Sequence, residues 1–539
     1  MGERWLSKYT SPPPRARRTA HGRLNSIKAR GRTVAAVTAV MLLAAACTIA
    51  APSRASFRPR LAWEPCPSDV EIQFLSRHRC GWLTVLQDRS KPKGKTIRLL
   101  VVETWPVGVA PLPGRGFGFG TNLGDGYSHG SAPAGATRLR RINVALELRG
   151  TGHSQPSLAC PEANAFDGRE AGRLSGDASL REDFLSAVKA CRERLVREGV
   201  DPARYDLESV ARDTEDLRVA LEVDRWAYLN SYGTSSRYLF EYLRAFPGRA
   251  QAAYLDSPQF PHVDEVTTGV KATRHALDQL FTACAADKDC AEAYPDLATR
   301  WARAIHRLKR QPLKGTATLD AAKLLRASRF ALGGDGPEQA GLNLTLLPAT
   351  IAAAAKGRIS GPLAAALEDT PLYCAGYRPL CVGVGDRGFS LGAYLTVLCR
   401  DQAPFIDRAA LSTAVGNDPA FRELVDDHPY LAACKVWGVA PANPVVARPV
   451  HTEVPLLLLI GQFDSYSSAR EARQVAATLP RAWVVQVPGQ THNALGFSDC
   501  PIGIRNAWFR DPISPPQNTN CLDKLRVSFS TAPEQGGKP

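Results

Sequence analysis

The sequence predicts an α/β protein: a mainly parallel sheet covered by helices on both faces, with a helical segment inserted late in the sheet. Three observations lead there. Short apolar runs suited to buried strands alternate with stretches whose apolar residues recur at helical spacing. From about residue 260 to 395 the alternation gives way to helices with Ala and Leu periodicity, as at 270–286 and 294–308. It then resumes at 454–460 (VPLLLLI).

Taken in order, 95–105 (KTIRLLVVETW) and 141–148 (RINVALEL) read as strands, with a Gly- and Pro-rich loop over 106–136 between them. A helix is expected at 210–221, then a strand at 226–230. Tyr238, Leu239, Tyr242, Leu243 and Phe246 fall at helical spacing, and Pro247 closes that helix. The strand 251–255 follows. After the helical insertion come the strand at 454–460, a helix at 468–479 and a strand at 482–487. The domain reading is an export signal over 1–53, a core in two parts (60–259 and 396–522), a helical cap over 260–395 and a polar, frayed tail over 523–539.

Composition narrows the function classes. The net charge of +15 suggests nucleic acid, but residues 1–33 carry nine Lys or Arg against the single acid Glu3, a local +8. The remaining chain is near +7 without basic runs, so no nucleic-acid partner is expected. The basic stretch leads into the uncharged 33–53, the pattern of a secretory signal. Leu43-Ala44-Ala45-Ala46-Cys47 is similar to a bacterial lipobox, which would place lipid on Cys47. Ordinary cleavage after an Ala-x-Ala, or a retained membrane anchor, are the alternatives. Of 13 cysteines only Cys47 stands apart. The rest couple along the chain as Cys66 with Cys80, Cys160 with Cys191, Cys284 with Cys290, Cys374 with Cys381, Cys399 with Cys434 and Cys500 with Cys521, and are read as six disulfides in an oxidising compartment. No Cys-x-x-Cys occurs, and neither metal nor organic cofactor is expected.

The chemistry centres on 226–243 (WAYLNSYGTSSRYLFEYL), a strand-turn-helix reading that puts Ser231 at the tip of a nucleophile elbow. The N–H of Tyr232 and the helix N-terminus would then face a developing oxyanion. Gly233 supplies the second glycine of Gly-x-Ser-x-Gly, whereas Leu229 stands in place of the first. Gly126-Tyr127-Ser128-His129-Gly130 matches that formula in full, but no strand precedes it and no helix follows. A serine needs a base and the base needs a carboxylate. Asp464 follows the buried strand VPLLLLIG, and His492 follows the strand WVVQV, in the chain order Ser, Asp, His.

In this order, several short motifs make the chain resemble the tripeptidyl-aminopeptidase and prolyl-aminopeptidase branch of the α/β-hydrolases. They are Trp63 with Cys66 and Cys80, the turn Glu147-Leu148-Arg149-Gly150-Thr151-Gly152-His153-Ser154, Ala211-Arg212-Asp213, Leu255-Asp256-Ser257-Pro258, Cys284 and Cys290, Cys399-Arg400-Asp401, and Cys500 with Cys521. The resemblance implies an α/β-hydrolase fold with a helical cap, exported exopeptidase activity on free N-termini, and Ser231, Asp464 and His492 as nucleophile, acid and base. The family's Gly-Gly-Pro-Gly oxyanion loop is absent. Phe119-Gly120-Thr121-Asn122-Leu123-Gly124 stands in its place, with Gly120 or Thr121 as the backbone donor. The expected partner is a peptide or small ester, with membrane contact only through an N-terminal lipid or anchor. A catalytically impaired envelope protein of the same fold, and an esterase, are the competing expectations.

Overall fold

The structure, a computed structural model of the 539-residue chain, describes residues 57–70, 76–106, 118–121, 142–166, 173–314, 318–334, 341–369, 390–426, 428–496 and 498–531. The export segment with Cys47, the Ser128 motif, and Cys374 with Cys381 lie outside these.

Among the described residues nine strands form one sheet: β1 (Arg60–Glu64), β2 (Ser76–Leu86), β3 (Thr96–Pro106), β4 (Gly118–Thr121), β5 (Asn143–Leu146), β6 (Tyr228–Tyr232), β7 (Ala253–Asp256), β8 (Leu456–Gly461) and β9 (Ala482–Val487). Their spatial order is β1-β2-β3-β5-β4-β6-β7-β8-β9. The β1, β2, β3 and β5 pairings are antiparallel, and every pairing from β5 through β4 to β9 is parallel. The crossing of β4 and β5 sets β6 in the middle of the parallel part, and that order is the arrangement of the α/β-hydrolase fold.

Parallel strands buried on both faces need continuous apolar runs, and β8 (LLLLIG) is buried at every position. One face packs Leu229, Leu255, Leu456 and Leu458 against Leu239, Phe240 and Leu243 of the Ser236–Ala245 helix. The other packs Tyr228, Tyr254, Leu457 and Leu459 against Trp508 and Phe509. Between β7 and β8 the helices Glu265–Ala286, Leu297–Arg310, Ala321–Leu332 and Leu347–Ala355 share a core of their own, which includes Leu280, Leu308, Leu325 and Ile351. Helices continue past the expected boundary at 395, through Arg408–Val415 to Pro429–Trp437, so the sheet does not resume until β8.

The expectation of a frayed tail fails as far as residue 531. Phe529 is buried in the helical core, Ser530 N–H donates to Thr345 O at 3.0 Å, and Tyr294 Oη donates to Ser530 O at 3.1 Å. Disulfides join Cys66–Cys80, Cys160–Cys191, Cys284–Cys290, Cys399–Cys434 and Cys500–Cys521. Among the described residues no helix is long and apolar enough to cross a membrane.

Candidate active site

Asp464 and His492 meet. Asp464 lies just beyond β8, buried, and accepts His492 Nδ1 at 2.9 Å. Its remaining lone pairs take Tyr466 N–H at 2.8 Å, Ser467 N–H at 3.0 Å and Ser467 Oγ at 2.7 Å. Burial pushes this carboxyl up, but the His492 charge and this set of hydrogen bonds hold it below the ordinary carboxylate value. The site thus keeps an ionised acid behind the imidazole, directing Nε2 outward.

The His492 loop is tied down from several directions. Asp256, at the end of β7, accepts the N–H groups of Ala494 and Leu495, each at 3.0 Å, while Ser257 Oγ donates to the carbonyl of His492. Burial raises the Asp256 carboxyl to about 6 despite these donors. Thr491 Oγ1 donates to Gly334 O at 2.6 Å, which joins the loop to the helical segment. Gly461 explains how β8 passes so close, since a Cβ there would lie 1.8 Å from Thr491 O.

His492 Nε2 faces Gly233. That glycine has φ of 57°, in the left-handed region, and a Cβ built on it lies 3.1 Å from Nε2. No atom of any other described residue outside its chain neighbours comes within 4 Å of that position. The strand-to-helix turn therefore pivots on Gly233: β6 ends at Tyr232, and a short helical turn Gly233–Ser235 leads into the Ser236–Ala245 helix.

This corrects the placement of Ser231. It is not at the tip of the turn but inside β6, paired with Leu255 and Thr121, 1% exposed, with Oγ 2.9 Å from Ser235 Oγ. Alternate residues of a strand share a face, so Ser231 points the same way as Leu229, into the packed side. The Tyr232 expectation is corrected too, because its N–H donates to Ser235 Oγ at 3.2 Å and is not left for an oxyanion. Gly120 pairs with both Ala145 and Asn230, so its backbone belongs to the sheet ladder. Thr121, the last residue of β4, pairs with Ser231.

Two positions escaped the sequence reading, Gly233 and Thr234, whose N–H is the one that follows the turn residue. A signal for them exists. In Ser231-Tyr232-Gly233-Thr234-Ser235 the two serines are small residues two positions either side of the turn, the places that Gly-x-Ser-x-Gly gives to glycine. Leu229 is then an ordinary core residue of β6.

Among the described residues, two aromatic rings stand by His492, Tyr232 at 5.0 Å and Tyr466 at 4.9 Å between centroids. The turn at 147–154 plays a structural part, since Arg149 makes a buried two-point pair with Asp213, Nε and Nη2 each at 2.6 Å. Among the described residues no group of three or more His, Cys, Asp or Glu is placed to hold a metal ion.

Comparison with known proteins finds similarity to one family. The profile of the family described as TAP-like protein matches residues 419–521, the segment that supplies Asp464 and His492. This match, with the two relatives that follow, supports a TAP-like α/β-hydrolase. It is 28% identical over 264 residues to a tripeptidyl aminopeptidase of Streptomyces lividans, covering 46% of this chain and 44% of that protein. A tripeptidyl aminopeptidase of Streptomyces coelicolor is 28% identical over 227 residues, covering 39% and 40%. The chain thus spans less than half the length of either relative. Among solved structures, an esterase from Thermogutta terrifontis overlays 80% of this chain and 99% of its own with TM-score 0.32 at 12% identity. The esterase RhEst1 from Rhodococcus sp. ECU1013 overlays 82% and 100% with TM-score 0.33 at 12% identity.

Proposed function

We propose that this chain binds peptides over an Asp464–His492 pair whose imidazole faces Gly233 rather than a serine at the strand-to-helix turn, so that no acyl-enzyme forms at that turn. One observation carries the reading: the imidazole nitrogen that would deprotonate a nucleophile faces Gly233, which has no side chain. The acid and base are held as a triad needs them, which favours a site derived from a serine hydrolase over an unrelated pocket. Peptide as the ligand class rests on the relatives named as tripeptidyl aminopeptidases. The helices between β7 and β8 act as the cap. Export through residues 1–53, with Cys47 as a lipid carrier, is part of the same proposal, supported by the five disulfides among the described residues.

The test is to mix the purified chain with Ala-Ala-Ala-p-nitroanilide and follow binding and product together. Saturable binding without p-nitroaniline release is expected. A second reading, a Ser231-dependent aminopeptidase, is favoured by the order Ser231-Tyr232-Gly233, but it needs β6 to end two residues earlier. Release that disappears in Ser231→Ala establishes that reading and overturns ours.

A further inference from the structure

Among the described residues, no carboxylate stands opposite the charge of Arg329. Arg329 lies on the Ala321–Leu332 helix, half-buried, with its guanidinium 4.6 Å from the centroid of the Tyr466 ring. The same ring meets His492 edge-on, so one aromatic side chain separates the cation from the imidazole. Nε is buried and hydrogen-bonded to nothing, and no carboxylate pairs with Arg329 among the described residues. Gly269 also lies against the guanidinium, and an added Cβ there would lie 2.7 Å from Nη2. Glycine there leaves the fork uncrowded.

This arrangement is built rather than incidental. Ser465, the residue after Asp464, donates its Oγ to the backbone carbonyl of Arg329 at 2.7 Å. Thr273 Oγ1 donates to Ser465 O at 3.2 Å from the helix that contains Gly269. The helix carrying the cation is thus tied to the loop carrying the acid of the site. The surroundings are electropositive: His428 is kept neutral by its burial and by the charges of Arg329 and Arg326. A guanidinium has five N–H donors in a planar fork that matches a carboxylate at two points, and stacking on an aromatic face fixes the plane of that fork.

We infer that Arg329 is an anion-binding subsite beside the Asp464–His492 pair and that it selects ligands bearing a carboxylate within reach of Gly233 and His492. The inference rests on the peptide reading above for the rest of the ligand, but not for the anion subsite itself. The carboxylate has two sources in a peptide, its C-terminus or an acidic side chain, and the chemistry at Arg329 is the same for both.

The experiment is calorimetric titration of the full chain with three probes: Ala-Ala-Ala, Ala-Ala-Ala-amide and Ala-Glu-Ala-amide. The free acid should bind at least tenfold more tightly than its amide. In Arg329→Gln that ratio should fall to near one, and Arg329→Lys should recover part of it. If Ala-Glu-Ala-amide regains the affinity lost by Ala-Ala-Ala-amide, the subsite reads side chains; if it does not, it reads the C-terminus. Either result supports the subsite. A ratio near one in the wild type, or a ratio unchanged in a folded Arg329→Gln protein, overturns it. Should none of the peptides bind, the peptide reading falls, and propionate then decides the subsite. It should raise the wild-type melting temperature and leave Arg329→Gln unmoved, and equal responses overturn the inference.

Discussion

Gly233→Ser should place a hydroxyl at the turn position that faces His492. The new Cβ would lie 3.1 Å from His492 Nε2, a tight contact that asks the imidazole to give by a few tenths of an ångström. A hydroxyl directed straight at the nitrogen would clash. One swung about 65° off that line would sit about 2.8 Å away, a normal hydrogen-bond length. The cost is backbone strain, because φ of 57° suits glycine and charges an L-residue roughly 1–2 kcal/mol. The variant should therefore be slightly less stable than the wild type in urea while gaining reactivity toward a fluorophosphonate. With Asp464 already ionised behind His492, aminoacyl-p-nitroanilide hydrolysis should rise above the wild-type background. Adding Asp464→Asn should take most of it away, by about 10⁴-fold if the imidazole tautomer is lost as in a serine-protease triad. A folded Gly233→Ser protein that neither labels nor turns over would refute the placement of the turn.

Three further outcomes follow from the same geometry. Ser231→Ala removes one partner of the buried Ser231–Ser235 contact and should cost about 1–3 kcal/mol in chemical denaturation, with peptide binding unchanged; a large loss of binding would show that Ser231 reaches the ligand. Gly461→Ala drives a methyl against Thr491 O and should cost about 1–3 kcal/mol or more while displacing His492, read as lost labelling in the Gly233→Ser background. His428 is held at about 3, first by burial and then by Arg329 and Arg326, while accepting Leu431 N–H as a helix cap. The unfolded chain takes up that proton below about 6.5 and the folded chain does not, so this stability is complete above 6.5 and lost as pH falls toward 3. The loss should approach about 1.4 kcal/mol per pH unit, and His428→Asn should flatten it in urea melts at pH 7, 5.5 and 4.5; parallel curves for the two proteins contradict the assignment.

The sheet was legible because parallel strands buried on both faces leave apolar runs that little else produces, as at 456–460. Asp464 and His492 were legible for a related reason: each follows such a strand closely, where a parallel sheet gathers its chemistry. The elbow was misread by two residues. Ser231-Tyr232-Gly233 satisfies the second half of the motif, and strand ends are the least certain part of any reading from sequence. What decides the register is the positive φ of Gly233 and its approach to a histidine far along the chain, and neither leaves a local trace. The helices after 395 were assigned to the core because short Ala-rich helices such as Pro429–Trp437 lack a long periodic stretch. The tail looked frayed because a single apolar residue, Phe529, anchors an otherwise polar segment.

The proposal that Gly233 holds the nucleophile position is tested most directly by intact-mass analysis of the wild-type chain after saturating treatment with a fluorophosphonate. The mass should remain that of the unmodified protein, while Gly233→Ser gains a single adduct on residue 233. A stoichiometric adduct on the wild type that maps to Ser231 and vanishes in Ser231→Ala would contradict the account.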